Sequence, residues 1–378
     1  MAVEMFFAWD DVPVHCNILH PTREEALRAR KAPLQLGFCS DCGHIYNFAF
    51  DESAVAYTSA YENSLHFSPR FQQYAEELAS DLIGRHKLSN KTIVEIGCGK
   101  GDFLKLLCDR GPNQGFGFDE SYHAAAHPRS ERFVIIRDSY FGSQARYNAD
   151  FVCCRHVLEH IGSPLAFAKK IRTAVAHRPD CPVYIEVPNA LRTLKDLAIW
   201  DIIYEHCSYF TAQSLSMVFT LAGFQILRLE EKYDGQFLGI ELLLASQQPS
   251  ARTKPEGLDE LGRFVSNFAE KYRTKVEEWK ARLQQFHAAG KRLALWGSGS
   301  KGVTFLNILQ AFGKIECVVD VNPRKEGMYV AGTGHRIIAP TALRDYTPDI
   351  IILTNPIYKE EIAGMLAQLS LHPELLTA

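Results

Sequence analysis

The sequence predicts an α/β protein with two parallel sheets in succession and a small region in front of the first. From Lys91 onward, short apolar runs alternate with amphipathic stretches, the order typical of parallel sheets. Two glycine-rich loops, VEIGCGKGDFL at 94–104 and ALWGSGSKGV at 294–303, each follow such an apolar run and precede a helical stretch. With 378 residues the chain is long enough for two or three domains.

The composition is that of a soluble globular protein. Hydrophobic residues make up 47% of the chain, charged residues make up 22%, and the formal net charge is -3. This balance offers no polybasic surface, so we expect neither nucleic acid nor an anionic membrane as a partner. No apolar run approaches the ~18 to 20 residues of a membrane span, and the N-terminus lacks the basic n-region of a secretion signal. We therefore expect a cytoplasmic protein, and the oligomeric state is left open.

Four segments follow one another along the chain. The first, 1–67, is the N-terminal region, and its residues 1 to about 50 are expected to be irregular. The first glycine loop belongs to a domain at 68–250, which ends in an antiparallel pair of strands. The polar stretch SQQPSARTKPEG is the best linker candidate. A long amphipathic helix at 251–290 then leads to a smaller C-terminal Rossmann-like domain at 291–378.

The first glycine loop has the pattern of a nucleoside-binding site. Glu95 ends the preceding strand, and the glycines let the backbone approach a ligand that a Cβ would exclude. Asp119 ends the next strand, where a carboxylate can accept both hydroxyls of a ribose. The third strand ends in Asp138 and Ser139, which can reach an adenine edge, and the fourth leads into HVLEH at 156–160. An NAD site and a ligand-free α/β domain are the alternatives.

This order of elements resembles class I S-adenosylmethionine-dependent methyltransferases over residues 90–245. The third glycine of the Rossmann fingerprint is absent at its usual spacing, which favours this resemblance over an NAD site. The resemblance implies S-adenosylmethionine as cofactor. The contacts expected for it are Glu95, Gly97, Gly99, Gly101, Asp119, Asp138, Ser139 and His156.

A candidate catalytic stretch, WDIIYEHCSYF at 200–210, follows the fifth strand. Ligands of open α/β sheets bind at the carboxyl edge, where this stretch would lie. Methyl transfer from a sulfonium mainly requires a nucleophile aimed in line, and a carbon nucleophile first needs a base to remove a proton beside a carbonyl. Glu205 and His206 are the expected bases, His206 to take the proton and Glu205 to orient or assist it, with the Tyr204 hydroxyl or a metal to hold the enolate. The alternative is an ordinary surface turn or a structural hydrogen-bonded cluster.

Nearly the whole chain is similar to the three-domain sugar C-3′-methyltransferases. These have a zinc-binding N-terminal region, a central methyltransferase domain and a Rossmann-like C-terminal domain. The resemblance implies C-methylation beside the ketone of a nucleotide-linked 4-keto-deoxysugar, with Glu205 and His206 as acid/base residues and Tyr61 reaching the site. One departure is that Ile203 stands where the family has a tyrosine, three residues before the histidine. The substrate, or the way the enolate is stabilised, is therefore expected to differ.

The stretch FCSDCGH at 38–44 resembles one zinc knuckle, because Gly43 permits the tight turn after C-x-x-C. It is the single C-x-x-C among ten cysteines, and where the related enzymes have a second one upstream this chain reads PVHC. The expected ligands of a structural zinc are Cys16, Cys39, Cys42 and one histidine, His15 or His20. The alternative is a packed loop that has lost its metal.

The second glycine loop has the G-x-G-x-x-G spacing of a dinucleotide fingerprint, through Gly297, Gly299 and Gly302. Asp320 ends the following strand at about the spacing of a ribose-binding carboxylate. Lys301 beside the loop favours a phosphate group, however, and the segment is short for a complete dinucleotide fold. We therefore expect this loop to face the acceptor of the reaction.

The leading expectation is a methyltransferase whose acceptor, a nucleotide sugar, contacts Lys301 and Asn189. The alternatives are an O- or N-methyltransferase of a small natural-product acceptor, an NAD-dependent sugar-modifying enzyme that uses the loop at 297–302, and a catalytically silent scaffold.

Overall fold

The computed structural model describes residues 3–55, 60–122, 130–142, 147–246, 254–309 and 315–378. The strands are β1 (Val3–Pro13), β2 (Lys31–Cys39), β3 (Ile45–Asn47), β4 (Thr92–Ile96), β5 (Gln114–Phe118), β6 (Phe133–Ile136), β7 (Phe151–Arg155), β8 (Val183–Pro188), β9 (Ser208–Tyr209), β10 (Phe224–Lys232), β11 (Phe237–Leu244), β12 (Leu293–Trp296), β13 (Ile315–Val319), β14 (Ile337–Ile338), β15 (Ile350–Leu353) and β16 (Glu374–Thr377). The α-helices are α1 (Arg23–Leu27), α2 (Pro69–His86), α3 (Asp102–Arg110), α4 (Pro164–Val175), α5 (Ala190–Lys195), α6 (Ala212–Leu221), α7 (Leu258–Ala288), α8 (Ser300–Leu309), α9 (Leu343–Tyr346) and α10 (Lys359–Gln368).

A four-stranded sheet in the order β1-β2-β3-β9 occupies the N-terminal part of the fold. Its strands pair antiparallel, and β9 comes from the stretch that was predicted to be catalytic. The prediction that this region is irregular was therefore wrong. These strands were not predicted because neither β1 nor β2 alternates regularly between buried and exposed residues. The pairing of β1 with β2 shifts register twice, and the buried residues of β2 cluster at its end.

The central sheet has seven strands in the order β10-β11-β8-β7-β4-β5-β6. The five strands from β8 to β6 are parallel, and β10 and β11 form the predicted antiparallel pair at one edge. Helices cover both faces: α2 and α3 pack on one, and α4 and α6 on the other. Strand β7 is buried at every position, as expected for a strand covered on both sides.

The third sheet is five-stranded and entirely parallel, in the order β14-β13-β12-β15-β16. It is smaller than the six strands of a complete dinucleotide fold, as the length of the segment indicated. The mixed α/β class predicted from the sequence is confirmed. The predicted boundary between residues 250 and 251 lies in the stretch 247–253, outside the described residues, and the division into four domains stays a prediction.

Helix α7 connects the N-terminal and C-terminal sheets. Its 31 residues span about 45 Å at 1.5 Å per residue. Near its first half, Phe268 packs edge-on against Phe7 at 5.6 Å between ring centroids, and near its second half Trp279 meets Phe305 of α8 at 5.3 Å. One apolar core therefore joins the two outer sheets along this helix. Within the described residues, no helix is both long and apolar enough to cross a membrane.

Candidate active site

A cleft of about 1050 Å³ lies between the central and C-terminal sheets. Both glycine loops line it, because parallel strands present their carboxyl ends, and the loops that follow, at one edge of each sheet. The structure brings most of the predicted site residues together on its walls. They are Tyr61, Glu95, Gly97, Gly99, Asp119, Asp138, Ser139, His156, Asn189, His206 and Lys301.

The first glycine loop is held open toward the cleft by its backbone conformation. Gly97, Gly99 and Gly101 all have positive φ angles, of 69°, 54° and 80°. A Cβ built on Gly99 would meet no heavy atom within 4 Å, so this glycine faces the cleft. A Cβ on Gly101 would instead lie 2.7 Å from the Ile135 side chain. Gly101 does not line the cleft and is required for packing against β6, which corrects its prediction as a cofactor contact.

Asp119 lies at the carboxyl end of β5 and holds the loop in place. Its Oδ2 accepts a hydrogen bond from Gly99 N at 2.7 Å, and its Oδ1 accepts from Ser121 N at 2.9 Å. Asp138 and Ser139 lie farther out, and Ser139 N donates to Asp138 Oδ1 at 2.7 Å. A carboxylate at the inner position and a polar pair at the rim fit the ribose and base of an adenosyl group.

Glu95 forms part of the floor of the cleft. Its side chain is buried, and Oε2 has no hydrogen-bond partner among the described residues. Burial raises the pKa of Glu95 to about 8, although the nearby Arg155 guanidinium opposes the shift. Burying a carboxyl oxygen without a hydrogen-bond partner costs free energy unless a bound ligand supplies the partner. A positively charged ligand could interact with Glu95 in this way.

A buried ion pair that the sequence analysis missed lies beneath the cleft. Arg155 Nη2 and Nε donate to the same Glu186 oxygen at 2.8 and 3.0 Å, and Tyr184 donates to the other oxygen at 2.8 Å. Burial raises the pKa of Glu186, but the charge of Arg155 and the contact with His156 outweigh it, so the pKa lies well below its usual range. His156 Nε2 lies 3.0 Å from the same carboxylate. A charged residue within each of two apolar strands, FVCCR and VYIEVP, was the available signal.

His206 lies in the cleft beside a second histidine. The rings of His206 and His160 are 4.9 Å apart between centroids. One ligand atom each from Glu159, His160 and His206 lie within 4.8 Å of one another. Burial, together with the charges of His160 and Lys301, holds the pKa of His206 well below its usual value. At neutral pH His206 is therefore an uncharged imidazole, able to accept a proton.

Glu159 and His160 were not assigned a role from the sequence. Both belong to the HVLEH stretch, of which only His156 was named as a contact. A one-turn 3-10 helix at Leu158–His160 follows β7 and places the pair at the carboxyl edge of the sheet. The sequence contains two Glu-His pairs, Glu159-His160 and Glu205-His206, and the first directly follows a strand. This repeated pair is the sequence feature from which Glu159 and His160 could have been predicted.

Two predicted catalytic residues, Tyr204 and Glu205, do not line the cleft. Both are fully buried on the side of the N-terminal sheet. The Tyr204 hydroxyl accepts a hydrogen bond from Asp51 N at 2.8 Å. Glu205 Oε2 accepts from Cys16 N at 2.8 Å, and Oε1 accepts from His15 Nδ1 at 3.4 Å. Their prediction as residues that touch the substrate is corrected: each attaches the 200–210 stretch to the N-terminal region.

Tyr61 does reach the cleft, through a short bridge with Ile18. Its hydroxyl accepts from Asn17 Nδ2 at 3.4 Å. The next residue, Glu62, is nearly buried and contacts both sides of the cleft. It pairs with Lys100 of the first glycine loop and accepts from Asn322 Nδ2 at 3.1 Å on the C-terminal side. This link could not be predicted from local sequence patterns, because its partners are far apart along the chain.

The predicted zinc ligands are not assembled into one site. Cys39 is the last residue of β2 and Cys42 lies in the turn that follows, where Gly43 packs against Leu258 of α7. His15 and the backbone of Cys16 contact Glu205 instead. In the described part of the chain, the group of three or more side chains spaced for a metal ion is Glu159, His160 and His206. The residues predicted to hold zinc therefore do not fit a four-ligand site.

The second glycine loop uses one of its three glycines, Gly302, for close packing. A Cβ on Gly302 would lie 1.9 Å from the Gly297 carbonyl oxygen, whereas one on Gly299 would meet nothing within 4 Å. Asp320, the residue placed for a ribose, accepts at Oδ2 from Ser298 N at 2.9 Å and from Ser298 Oγ at 2.6 Å. Its loop thus satisfies this carboxylate oxygen, as the first glycine loop does for Asp119 through Gly99 N.

The two residues predicted to contact the acceptor, Lys301 and Asn189, differ in the contacts that their side chains make within the protein. Lys301 lines the cleft at the start of α8, where Nζ lies 2.5 Å from Asp201 Oδ1. Asn189 caps α5 by accepting from Leu191 N at 3.1 Å, and its amide nitrogen donates to Gly235 O at 3.0 Å. The Asn189 side chain is therefore engaged in the fold, whereas the Lys301 ammonium group forms an ion pair with Asp201 that a ligand phosphate could replace.

Comparison of the sequence with known families gives two matches. Residues 69–229 match the family described as a methyltransferase domain. Residues 247–371 match the family described as a C-methyltransferase C-terminal domain. No curated protein matches the chain significantly.

Several solved structures are similar to part of the chain. One is 1,6-didemethyltoxoflavin-N1-methyltransferase from Burkholderia thailandensis, at 15% identity and a TM-score of 0.38, covering 47% of this chain and 82% of that one. Another is magnesium protoporphyrin IX methyltransferase from Synechocystis PCC 6803, at 18% identity and a TM-score of 0.34, covering 47% and 84%. A third is a methyltransferase from Mesorhizobium loti, at 14% identity and a TM-score of 0.36, covering 45% and 97%.

These TM-scores are low, so the enzyme class rests on the two family matches. The chain is an S-adenosylmethionine-dependent methyltransferase of class I. The glycine loop after β4, the Asp119 carboxylate and the buried Glu95 fit this donor.

Proposed function

We propose that this enzyme methylates a carbon beside the ketone of a nucleotide-linked 4-keto-deoxysugar. The observation that carries the proposal is the position of His206, whose partly buried imidazole lines the same cleft as the donor loop. The match of the C-terminal segment to a C-methyltransferase domain supports carbon as the nucleophile. The resemblance to sugar C-3′-methyltransferases supplies the class of acceptor.

Carbon methylation places a specific demand on the protein. A carbon next to a ketone becomes nucleophilic only when its C–H bond is broken and the electron pair is left as an enolate. In the proposed reaction, His206 takes this proton on a ring nitrogen. S-adenosylmethionine supplies an electrophilic methyl group, and its carbon–sulfur bond breaks as the new carbon–carbon bond forms, with the electron pair leaving on sulfur.

His206 is placed to take this proton. It lines the cleft beside His160, with 4.9 Å between the ring centroids, and the donor loop lines the same cleft. The acceptor would enter from the C-terminal side of the cleft. There Lys301, Arg324 and Lys325 line the wall and could receive the diphosphate of a nucleotide sugar.

Solvent exchange separates this proposal from methylation of oxygen or nitrogen. The enzyme is incubated in deuterated water with S-adenosylhomocysteine and a thymidine-diphosphate-linked 4-keto-6-deoxyhexose, and deuterium beside the ketone is followed by mass spectrometry. We expect enzyme-dependent exchange, and methylation at the same carbon when S-adenosylmethionine replaces S-adenosylhomocysteine.

His206→Asn should lower both rates by roughly 10²–10⁴-fold, the contribution of a general base. His177→Asn is the matched control, because His177 is exposed and contacts only Asn148 among its hydrogen-bond partners in the described residues. Methyl transfer to oxygen or nitrogen without exchange, or near-normal turnover by the His206 variant, would contradict the proposal.

A further inference from the structure

The carboxylates around His206 differ in whether their oxygens already have partners. Glu205 Oε2 accepts from Cys16 N and Oε1 from His15, so this carboxylate is held on the far side of the stretch. Glu186 is held by Arg155 and Tyr184. Glu159 is 2% exposed, and its Oε2 has no hydrogen-bond partner among the described residues.

Glu159 also lies where a protonated His206 would need a counter-charge. It lines the cleft, and one of its oxygens lies within 4.8 Å of a ring nitrogen of His206 and of His160. Its other neighbour is His156, whose Nδ1 is 3.7 Å from Oε1. A buried carboxylate oxygen without a partner is rare in folded proteins and points to a ligand or a functional interaction.

Main-chain contacts fix this arrangement. His160 Nδ1 donates to the Glu205 carbonyl oxygen at 2.9 Å, which requires a proton on Nδ1. The Cys207 thiol donates to the Glu159 carbonyl oxygen at 3.4 Å. The short turn that carries Glu159 and His160 is thereby attached to both sides of His206.

We propose that Glu159, rather than Glu205, is the carboxylate that positions His206 and stabilises it when it takes the substrate proton. The proton moves from carbon to the imidazole, the electron pair of the C–H bond stays in the enolate, and the Glu159 side chain lies near the imidazolium. Glu159 is thus a positioning residue, and His160 orients the pair. This inference rests on the proposed function, because it assigns the partner of the base in that reaction.

The test compares Glu159→Gln with Glu205→Gln in the full-length protein. The exchange assay described above reports proton removal, calorimetric titration with S-adenosylhomocysteine reports donor binding, and thermal melting reports folding. We expect Glu159→Gln to slow exchange and lower kcat for methyl transfer by about 10²-fold or more. The KM for the acceptor and the affinity for S-adenosylhomocysteine should be unchanged.

Glu205→Gln should instead lower the melting temperature, because it weakens the attachment of the 200–210 stretch to Cys16 and His15. Its folded fraction should exchange at close to the wild-type rate. Glu159→Asp keeps the charge one methylene farther away and should recover part of the lost exchange, which a purely structural role would not predict. If Glu159→Gln folds poorly, the exchange rate of Glu159→Asp still tests the inference.

Three results would overturn the inference. In the first, Glu159→Gln exchanges like the wild type while His206→Asn does not, and the proposed function then stands without Glu159. In the second, Co²⁺ added to the metal-free wild type gives a d–d absorption band that Glu159→Gln loses, and activity depends on that metal; the group of Glu159, His160 and His206 is then a metal site. In the third, the wild type itself shows no exchange, which refutes the proposed function and this inference together.

Discussion

Replacing Glu62 by glutamine should loosen the link between the donor loop and the C-terminal side of the cleft. The substitution keeps the shape of the side chain and the contact with Asn322, and it removes the negative charge. Lys100 and Arg324 then lose their shared carboxylate partner.

The expected loss in the free energy of unfolding follows from how deeply Glu62 and its two cationic partners are buried. The Glu62 side chain is 6% exposed, but those of Lys100 and Arg324 are 25% and 43% exposed. Breaking a fully buried pair costs about 3–5 kcal/mol, and an exposed pair contributes about 0–1 kcal/mol. Because both cations can regain water, we expect the free energy of unfolding to fall by about 1–3 kcal/mol.

The loss should also depend on pH. Burial opposes ionisation of Glu62, but Lys100, Asn322 and Arg324 outweigh it and hold the pKa of the carboxyl below its ordinary value of 4.5. Its stabilisation is therefore present above about pH 4.5 and is lost as the pH falls through the folded-state pKa. The difference between variant and wild type should shrink in acid.

Differential scanning calorimetry and titration with S-adenosylhomocysteine measure the two consequences. Glu361→Gln is the matched comparison, because Glu361 accepts from Ser68 Oγ at 2.7 Å and so links the same segment to the C-terminal side without touching Lys100. Both variants should melt earlier, and only Glu62→Gln should weaken donor binding. An unchanged melting temperature and donor affinity for Glu62→Gln would refute the reasoning.

Three further predictions concern single side chains. Glu95→Gln should gain stability relative to wild type as the pH rises from about 4.5 to about 8, because the wild-type carboxyl stays protonated only when folded; a melting-temperature difference that does not change with pH would contradict this. His44→Gln should flatten the loss of stability between about pH 6.5 and about pH 4, since burial lowers the pKa of His44 to about 4; acid-unfolding curves test it, and parallel curves would count against it. Gly302→Ala should destabilise by about 1–3 kcal/mol in urea unfolding, because its Cβ would lie 1.9 Å from the Gly297 carbonyl oxygen, whereas Gly299→Ala has open space and should not; equal effects would disprove it.

Much of the fold could be predicted from local patterns. The helix α7 follows from its apolar stripe, and the parallel strands follow from their alternation with helices. The N-terminal sheet could not be predicted, because β3 and β9 are three and two residues long and are stabilised by pairing with distant strands. Such short strands carry no periodicity of their own.

Site residues could be predicted from the sequence where they directly follow a strand of the parallel sheet, because that position determines which edge of the sheet they occupy. Asp119 and the glycines of the first loop reach the cleft because parallel strands end at one edge. The stretch at 200–210 has no regular period, so the sequence could not tell which of its side chains faces inward. His206 does, whereas Tyr204 and Glu205 face the N-terminal region.

By itself, the sequence determined the class of fold, the donor loop and the two families that the chain matches, because all three are written in residues close together along the chain. Only the tertiary structure decided that Glu159 and His160 lie near His206, that Glu205 contacts His15 and Cys16, and that Glu62 joins the two sides of the cleft. Those outcomes depend on contacts between residues 38 to 260 positions apart, for which burial and pairing, rather than local pattern, set the geometry.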